Sequence, residues 1–212
     1  MQFDAAQCAG WRTSDDSTVG AFLGMRPTDG SMKTRFSLEL ELKIRQCARQ
    51  DLPRLEWFGL YTDHRQLIED AFRRQQAGEV MMLVADLDGF PVGQAWLDLS
   101  ARAADSVGVI WALRVLPVLH NHGIGTRVMM AAERLLTERG YRWSELTVDQ
   151  QEPRARRLYE RLGYRSAGSS EGLLSYTTPE EKSVALNLQL WILRKRLPPR
   201  AMDREVSQTS RE

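Results

Sequence analysis

The chain has 212 residues, with 29 Lys and Arg against 28 Asp and Glu and a net charge of +1. That length suits one domain whose core needs no disulfide or metal staple, and the charge balance gives no global attraction to nucleic acid. Three further signals are missing: an apolar run of the roughly 18 residues that argue for a membrane span, the basic-then-apolar order of a signal peptide, and closely spaced cysteines, since Cys8 and Cys47 stand far apart.

A soluble, unanchored protein in a reducing, cytoplasmic setting is therefore expected. Residues 1–36 are rich in Gly, Ser, Thr and Asp without any period, and read as a flexible extension. The tail from Pro198 to the end, residues 198–212, reads as disordered, which leaves a domain over residues 37–197.

In chain order, SLELELKIRQ alternates strictly, with Leu38, Leu40, Leu42 and Ile44 on one side, and predicts a half-buried strand. DLPRLEWFG predicts a short helix. A second helix starts at the Thr62–Asp63 cap and stops at Gly78, with Leu67, Ile68, Ala71 and Phe72 as its apolar stripe. EVMMLVADLDGFPVGQAWLDL predicts two strands around the turn DLDG, and VGVIWALRV a central strand with few charges. A helix runs from Gly123 to Arg139, SELTVD is a strand, and EPRARRLYERLG is a helix with Pro153 in its first turn and Gly163 at its stop. SVALNLQLWILRKRL closes the domain as a strand. The sum is mixed α/β, with hairpins and two strand–helix–strand crossovers.

The stretch HNHGIGT joins the central strand to the next helix. Gly123 and Gly125 permit a tight turn and close approach of backbone to a ligand. The first N–H groups of the helix have no intrahelical partner, and the helix dipole favours negative charge there, so a pyrophosphate is the natural guest. The pattern is neither a Walker loop nor the dinucleotide G-x-G-x-x-G. His120 and His122 make a poor metal pair, because His64 is the only other imidazole and no cysteine is near; no metal is expected.

The loop, followed by LTVDQQEPRARRLYERLGYR, resembles the GCN5-related N-acetyltransferase (GNAT) family. That family reads Q/R-x-x-G-x-G/A at the loop and N-x-x-A-x-x-L-Y-E-x-x-G-F/Y on the later helix. Here the second motif stands as Glu152, Ala155, Leu158, Tyr159, Glu160, Gly163 and Tyr164. The resemblance covers roughly residues 39–197. It implies a mostly antiparallel sheet with a splayed central parallel strand pair flanked by helices. It also implies an acetyl-CoA-dependent N-acyltransferase, acetyl-CoA being a co-substrate.

By this resemblance the backbone of Leu113 and Val115 pairs with the pantetheine arm. Amides of Asn121, His122, Gly123, Gly125 and Thr126 hold the pyrophosphate, with His120 and Glu152 beside the cofactor. Tyr159 lies near the CoA sulfur and protonates the departing thiolate, which suits a positioned phenol. Trp57, Phe58 and Tyr61, at the junction of the first two helices, line the acceptor site by this resemblance, the equal alternative being that they pack on the sheet. Direct attack in a ternary complex is implied, because no cysteine lies in the motifs to carry an acyl group.

Two positions depart from the pattern: His120 replaces Gln or Arg, and Glu152 replaces Asn. A histidine beside a pyrophosphate has its charged form favoured, so acetyl-CoA binding is expected to tighten from about pH 8 to 6. Many relatives carry a Glu on the central strand as base, and VGVIWALRV has no acid. Asp149, Asp98 and Glu152 are the candidates, with a water relay as an equal account. Arg127, Arg156 and Arg157 are candidates for the CoA 3′-phosphate. The expected acceptor is a small-molecule amine. Alternatives are a protein N-terminus or lysine, or a CoA-binding module that has lost turnover. Neither nucleic acid nor membrane is an expected partner, and a homodimer rests on analogy with the family alone.

Overall fold

Alternation and turn chemistry account for the first half of the sheet. The computed structural model describes residues 39–177 and 183–200. The expected extension over residues 1–36 and the tail from residue 201 onward lie outside the described residues. Strand β1 is Leu42–Gln46, shorter than the alternating stretch, and Leu40 is exposed. The expected short helix is a 3-10 helix, Arg49–Glu56, with Pro53 inside it. Helix α1 is Arg65–Gln76, three residues after the predicted Thr62 cap, because Thr62–His64 forms a 3-10 turn of its own. Strands β2, Val80–Leu87, and β3, Phe90–Asp98, form the expected hairpin. Asp88 and Gly89 at its tip have φ of +50° and +81°, as a type I′ turn requires.

Strand β4 is Val107–Val115, helix α2 is Ile124–Glu138, strand β5 is Trp143–Asp149 and helix α3 is Pro153–Arg161. Two long strands follow, β6, Arg165–Thr177, and β7, Ser183–Arg196. The seven strands lie in the order β1-β2-β3-β4-β5-β7-β6. All neighbours are antiparallel except the central pair β4 and β5, which is parallel.

Two cores cover the two faces of the sheet. On one, Val128, Met129, Ala132 and Leu136 of α2 pack with Leu97, Ile110 and other strand residues. On the other, Leu52, Leu55, Ile68 and Phe72 pack on Met82, Val84, Trp96 and Trp111. Among the described residues no helix is long and apolar enough to cross a membrane.

Candidate active site

β4 and β5 pair only at Val107–Trp143, Gly108–Ser144 and Val109–Glu145. Beyond Val109 they diverge, so the backbone of β4 from Ile110 to Val115 has no β5 partner. A cavity of about 540 Å³ opens in that wedge. Its wall takes in Leu113 and Val115 of β4, the start of α2, and Leu158 and Tyr159 of α3. Three arginines line it, Arg114, Arg154 and Arg161, and no carboxylate does so among the described residues.

A bulge shapes β4 where the wedge opens. Gln94 faces Arg114 and Trp96 faces Trp111 across β3 and β4, so two residues of β3 span three of β4. Ala112 takes φ +53° to accommodate the extra residue.

The loop before α2 is built as its sequence suggests. Gly123 has φ +77° and an open surround, so glycine is needed there for its backbone and not for space. Asn121 is also left-handed, at φ +65°. The first helical bond runs from the Arg127 N–H to the Gly123 carbonyl, and no side chain caps the helix. The amides of Ile124, Gly125 and Thr126 precede that bond, and all three residues line the cavity.

The histidines brace this loop. His120 Nε2 lies 2.8 Å from the Val115 carbonyl, and His122 Nδ1 lies 2.8 Å from the His120 carbonyl. A carbonyl only accepts, so each named ring nitrogen carries the proton and donates. His120 lines the cavity and His122 does not. Among the described residues, no group of three or more His, Cys, Asp or Glu side chains is placed to hold a metal.

Tyr159 is buried on the cavity wall and meets Tyr164 edge-on at 6.1 Å. Of the three expected acceptor aromatics, the cavity brings in only Tyr61. Trp57 is fully buried, its indole N–H donating to the Pro91 carbonyl at 2.7 Å. Phe58 is 86% exposed and stacks on Phe90 outside the cavity. Trp57, Phe58 and Gly59 are all left-handed, with φ of 44°, 58° and 96°, a strained turn that the buried indole anchors. Trp57 in turn meets Tyr61 edge-on at 5.4 Å and so supports it from behind.

The candidate bases stand elsewhere. Asp98 is buried opposite Val109, at the paired end of the wedge; it holds Arg74 at 2.6 Å and the Ser100 and Ala101 amides. Asp149 is buried at the end of β5 with Oδ1 accepting from the Gln151 N–H, and Glu152 is the residue before α3. None of the three lines the cavity. Nor do Arg127, Arg156 and Arg157; the arginines of α3 that do are Arg154 and Arg161.

Sequence reasoning missed Arg114, although a lone charge in VGVIWALRV was its signal. Arg114 is 9% exposed, its guanidinium carbon 4.6 Å from the Tyr61 ring centroid. Burial pushes its pKa down to about 10, which leaves it cationic at neutral pH. His64, also missed, is buried edge-on to Tyr61 at 5.6 Å. Burial, helped by the Arg114 charge, pushes it down to about 3, so its ring is neutral at pH 7.

The model of the Acetyltransferase (GNAT) family matches residues 47–164. No curated protein matches the chain in sequence. The fold is shared with solved structures. An N-acetyltransferase from Staphylococcus aureus Mu50 is 15% identical with a TM-score of 0.59, over 74% of this chain and 99% of that one. A ribosomal-protein-alanine N-acetyltransferase from Brucella melitensis is 17% identical with a TM-score of 0.57, over 73% and 99%. A phosphinothricin acetyltransferase from Sinorhizobium meliloti, solved with AcCoA, is 15% identical with a TM-score of 0.59, over 76% and 91%.

Proposed function

The chain belongs to the GNAT acetyltransferase family, and on that premise we propose that it moves the acetyl group of acetyl-CoA to a primary amine by direct attack in a ternary complex. One observation carries this reading: the open end of the β4–β5 wedge, the uncapped start of α2 and Tyr159 all face one cavity. Its wall suits an anionic thioester carrier, with three arginines and no carboxylate among the described lining residues.

The unpaired backbone of Leu113 and Val115 offers strand-like hydrogen bonds to the amides of the pantetheine arm. The amides at the start of α2 hold the pyrophosphate, and Arg154 and Arg161 add charge from α3. The amine nitrogen bonds to the thioester carbonyl carbon, and the carbon–sulfur bond breaks. Tyr159 gives its phenolic proton to the leaving thiolate. The proton lost by the attacking amine passes to solvent, which returns one to the Tyr159 phenolate and closes the cycle; the candidate carboxylates are off the cavity wall.

A small-molecule amine is the acceptor we favour, with Tyr61, Trp111 and Arg114 on the cavity wall to receive it. The free, buried thiol of Cys47 supports a reducing, cytoplasmic setting. Calorimetric titration with acetyl-CoA tests the reading: saturable binding at one site per chain is expected, and the absence of binding to folded protein overturns it.

A further inference from the structure

The cavity wall holds a buried cation, Arg114, with no counter-ion among the described residues. On a regular strand Trp111 and Arg114, three residues apart, would leave opposite faces. The bulge at Ala112 puts both on the face covered by α1, where their cross-strand neighbours are Trp96 and Gln94. No hydrogen bond or ion pair joins the Arg114 guanidinium to a described residue, and its Nη1 is buried without a partner. Its neighbours are ring faces, Tyr61 at 4.6 Å and Trp96 at 5.8 Å. Aromatic faces offset part of the desolvation of a cation, but they accept no directed hydrogen bond at the guanidinium edge.

Two more buried donors on this face lack a partner, Nε1 of Trp111 and Nε2 of Gln94. The Gln94 oxygen is already used, accepting from Trp96 Nε1 at 2.9 Å. Of these, Arg114 Nη1 and Trp111 Nε1 are unsatisfied donors on residues that line the cavity, and among the described residues no carboxylate lines it. What completes such a site is an oxyanion brought by the ligand.

Resting on the acetyltransferase reading, we propose that the acceptor is a small amine that carries a carboxylate, and that Arg114 is the residue that recognises it. The planar guanidinium edge takes the carboxylate while the amine faces the thioester. A polyamine or a lysine side chain brings positive charge and no oxyanion, so the buried cation repels it. A peptide N-terminus has its own carboxyl group tied up in an amide and leaves the donors unpaired.

The test is an acetylation assay on matched amines: each standard amino acid, its primary amide and its decarboxylated amine, with acetyl-CoA and the full chain. The best amino acid is expected to exceed its amide and its decarboxylated form in kcat/KM by roughly 100-fold, the scale of a lost buried charge pair. In Arg114→Gln that ratio falls toward one, and Arg114→Lys, which keeps charge without the planar fork, restores only part of it. Equal turnover of acids and amides by the wild type, or an unchanged ratio in a folded Arg114→Gln, overturns the proposal. If Arg114→Gln does not fold, the wild-type ratio decides alone. If no amine is acetylated, thermal melts decide: amino acids and not their amides should raise the wild-type Tm, and no shift from any acid overturns the proposal. Failure to bind acetyl-CoA counts against the acetyltransferase reading instead, so the two failures are read separately.

Discussion

Gly108 lies against Leu136 so closely that a β-carbon built on it would stand 2.3 Å from Leu136 Cδ2. Gly108 is the middle residue of the short parallel pairing from which β4 and β5 diverge, and Leu136 is fully buried on α2. The contact thus sets how near α2 sits to the apex of the wedge. Gly108→Ala should destabilise the protein by roughly 1–3 kcal/mol, the usual cost of overpacking a core. Urea unfolding checks this, and an unchanged midpoint would show that Leu136 moves aside freely.

Gly125 separates folding from binding. A β-carbon there meets only Val115 Cγ2 at 3.6 Å and Leu158 Cδ2 at 3.9 Å, ordinary contacts. Gly125→Ala should leave Tm unchanged or raised, because alanine favours a helix by up to about 1 kcal/mol over glycine. The added methyl faces the cavity where the cofactor phosphates are proposed to lie. Calorimetry should show acetyl-CoA binding at least about tenfold weaker, a loss of 1.4 kcal/mol. Undiminished binding would take the phosphates away from this loop.

Tyr159→Phe removes the proposed acid and keeps the ring that packs on Tyr164. A fall in kcat of roughly 100-fold or more is expected, the scale of a positioned general acid. Acetyl-CoA affinity should change far less than kcat. Unaltered turnover would assign Tyr159 to packing alone.

His64 gives a pH dependence of stability. Its folded pKa, about 3, lies below the ordinary histidine value near 6.5. Between those values the unfolded chain takes up a proton that the folded chain refuses. The stability from neutral His64 is complete above about pH 6.5 and is lost as pH falls toward 3. The wild-type urea midpoint should therefore drop more between pH 7 and 5 than that of His64→Gln. Burial pushes the Asp51 carboxyl up, but its hydrogen bonds from Arg45 and the Ala48 amide outweigh that and hold it below the ordinary carboxyl value. Parallel losses in the two proteins would show that His64 is protonated in the fold.

The loop and the later helix motif were legible together because their residues stand at the spacing of the family pattern they resemble. Gly123, Gly125 and the Leu158–Tyr159–Glu160 run need no tertiary information to be read as a loop and a helix, and the structure brings both to one cavity. The Arg114 and Trp111 side of the cavity was not legible. A pattern of period two cannot foresee a bulge, so Arg114 and Trp111 read as pointing apart, and only Ala112 at φ +53° joins them. Trp57 and Phe58 likewise look equivalent in sequence. Their left-handed backbones send one into the core and the other to solvent. Strand β6 escaped notice because RSAGSSEGLLSYT carries little β-propensity, and its order comes from pairing with β7. Neither histidine of HNH revealed its part in the sequence, since each grips a backbone carbonyl nearby.

The central claim is acetyl transfer from acetyl-CoA to an amine. The measurement that addresses it most directly is release of free CoA thiol when the protein, acetyl-CoA and a panel of amines are mixed. The account predicts thiol release that depends on the amine, saturates with acetyl-CoA and is lost in Tyr159→Phe. Thiol release no faster than spontaneous hydrolysis, across the whole panel and with folded protein, would contradict it.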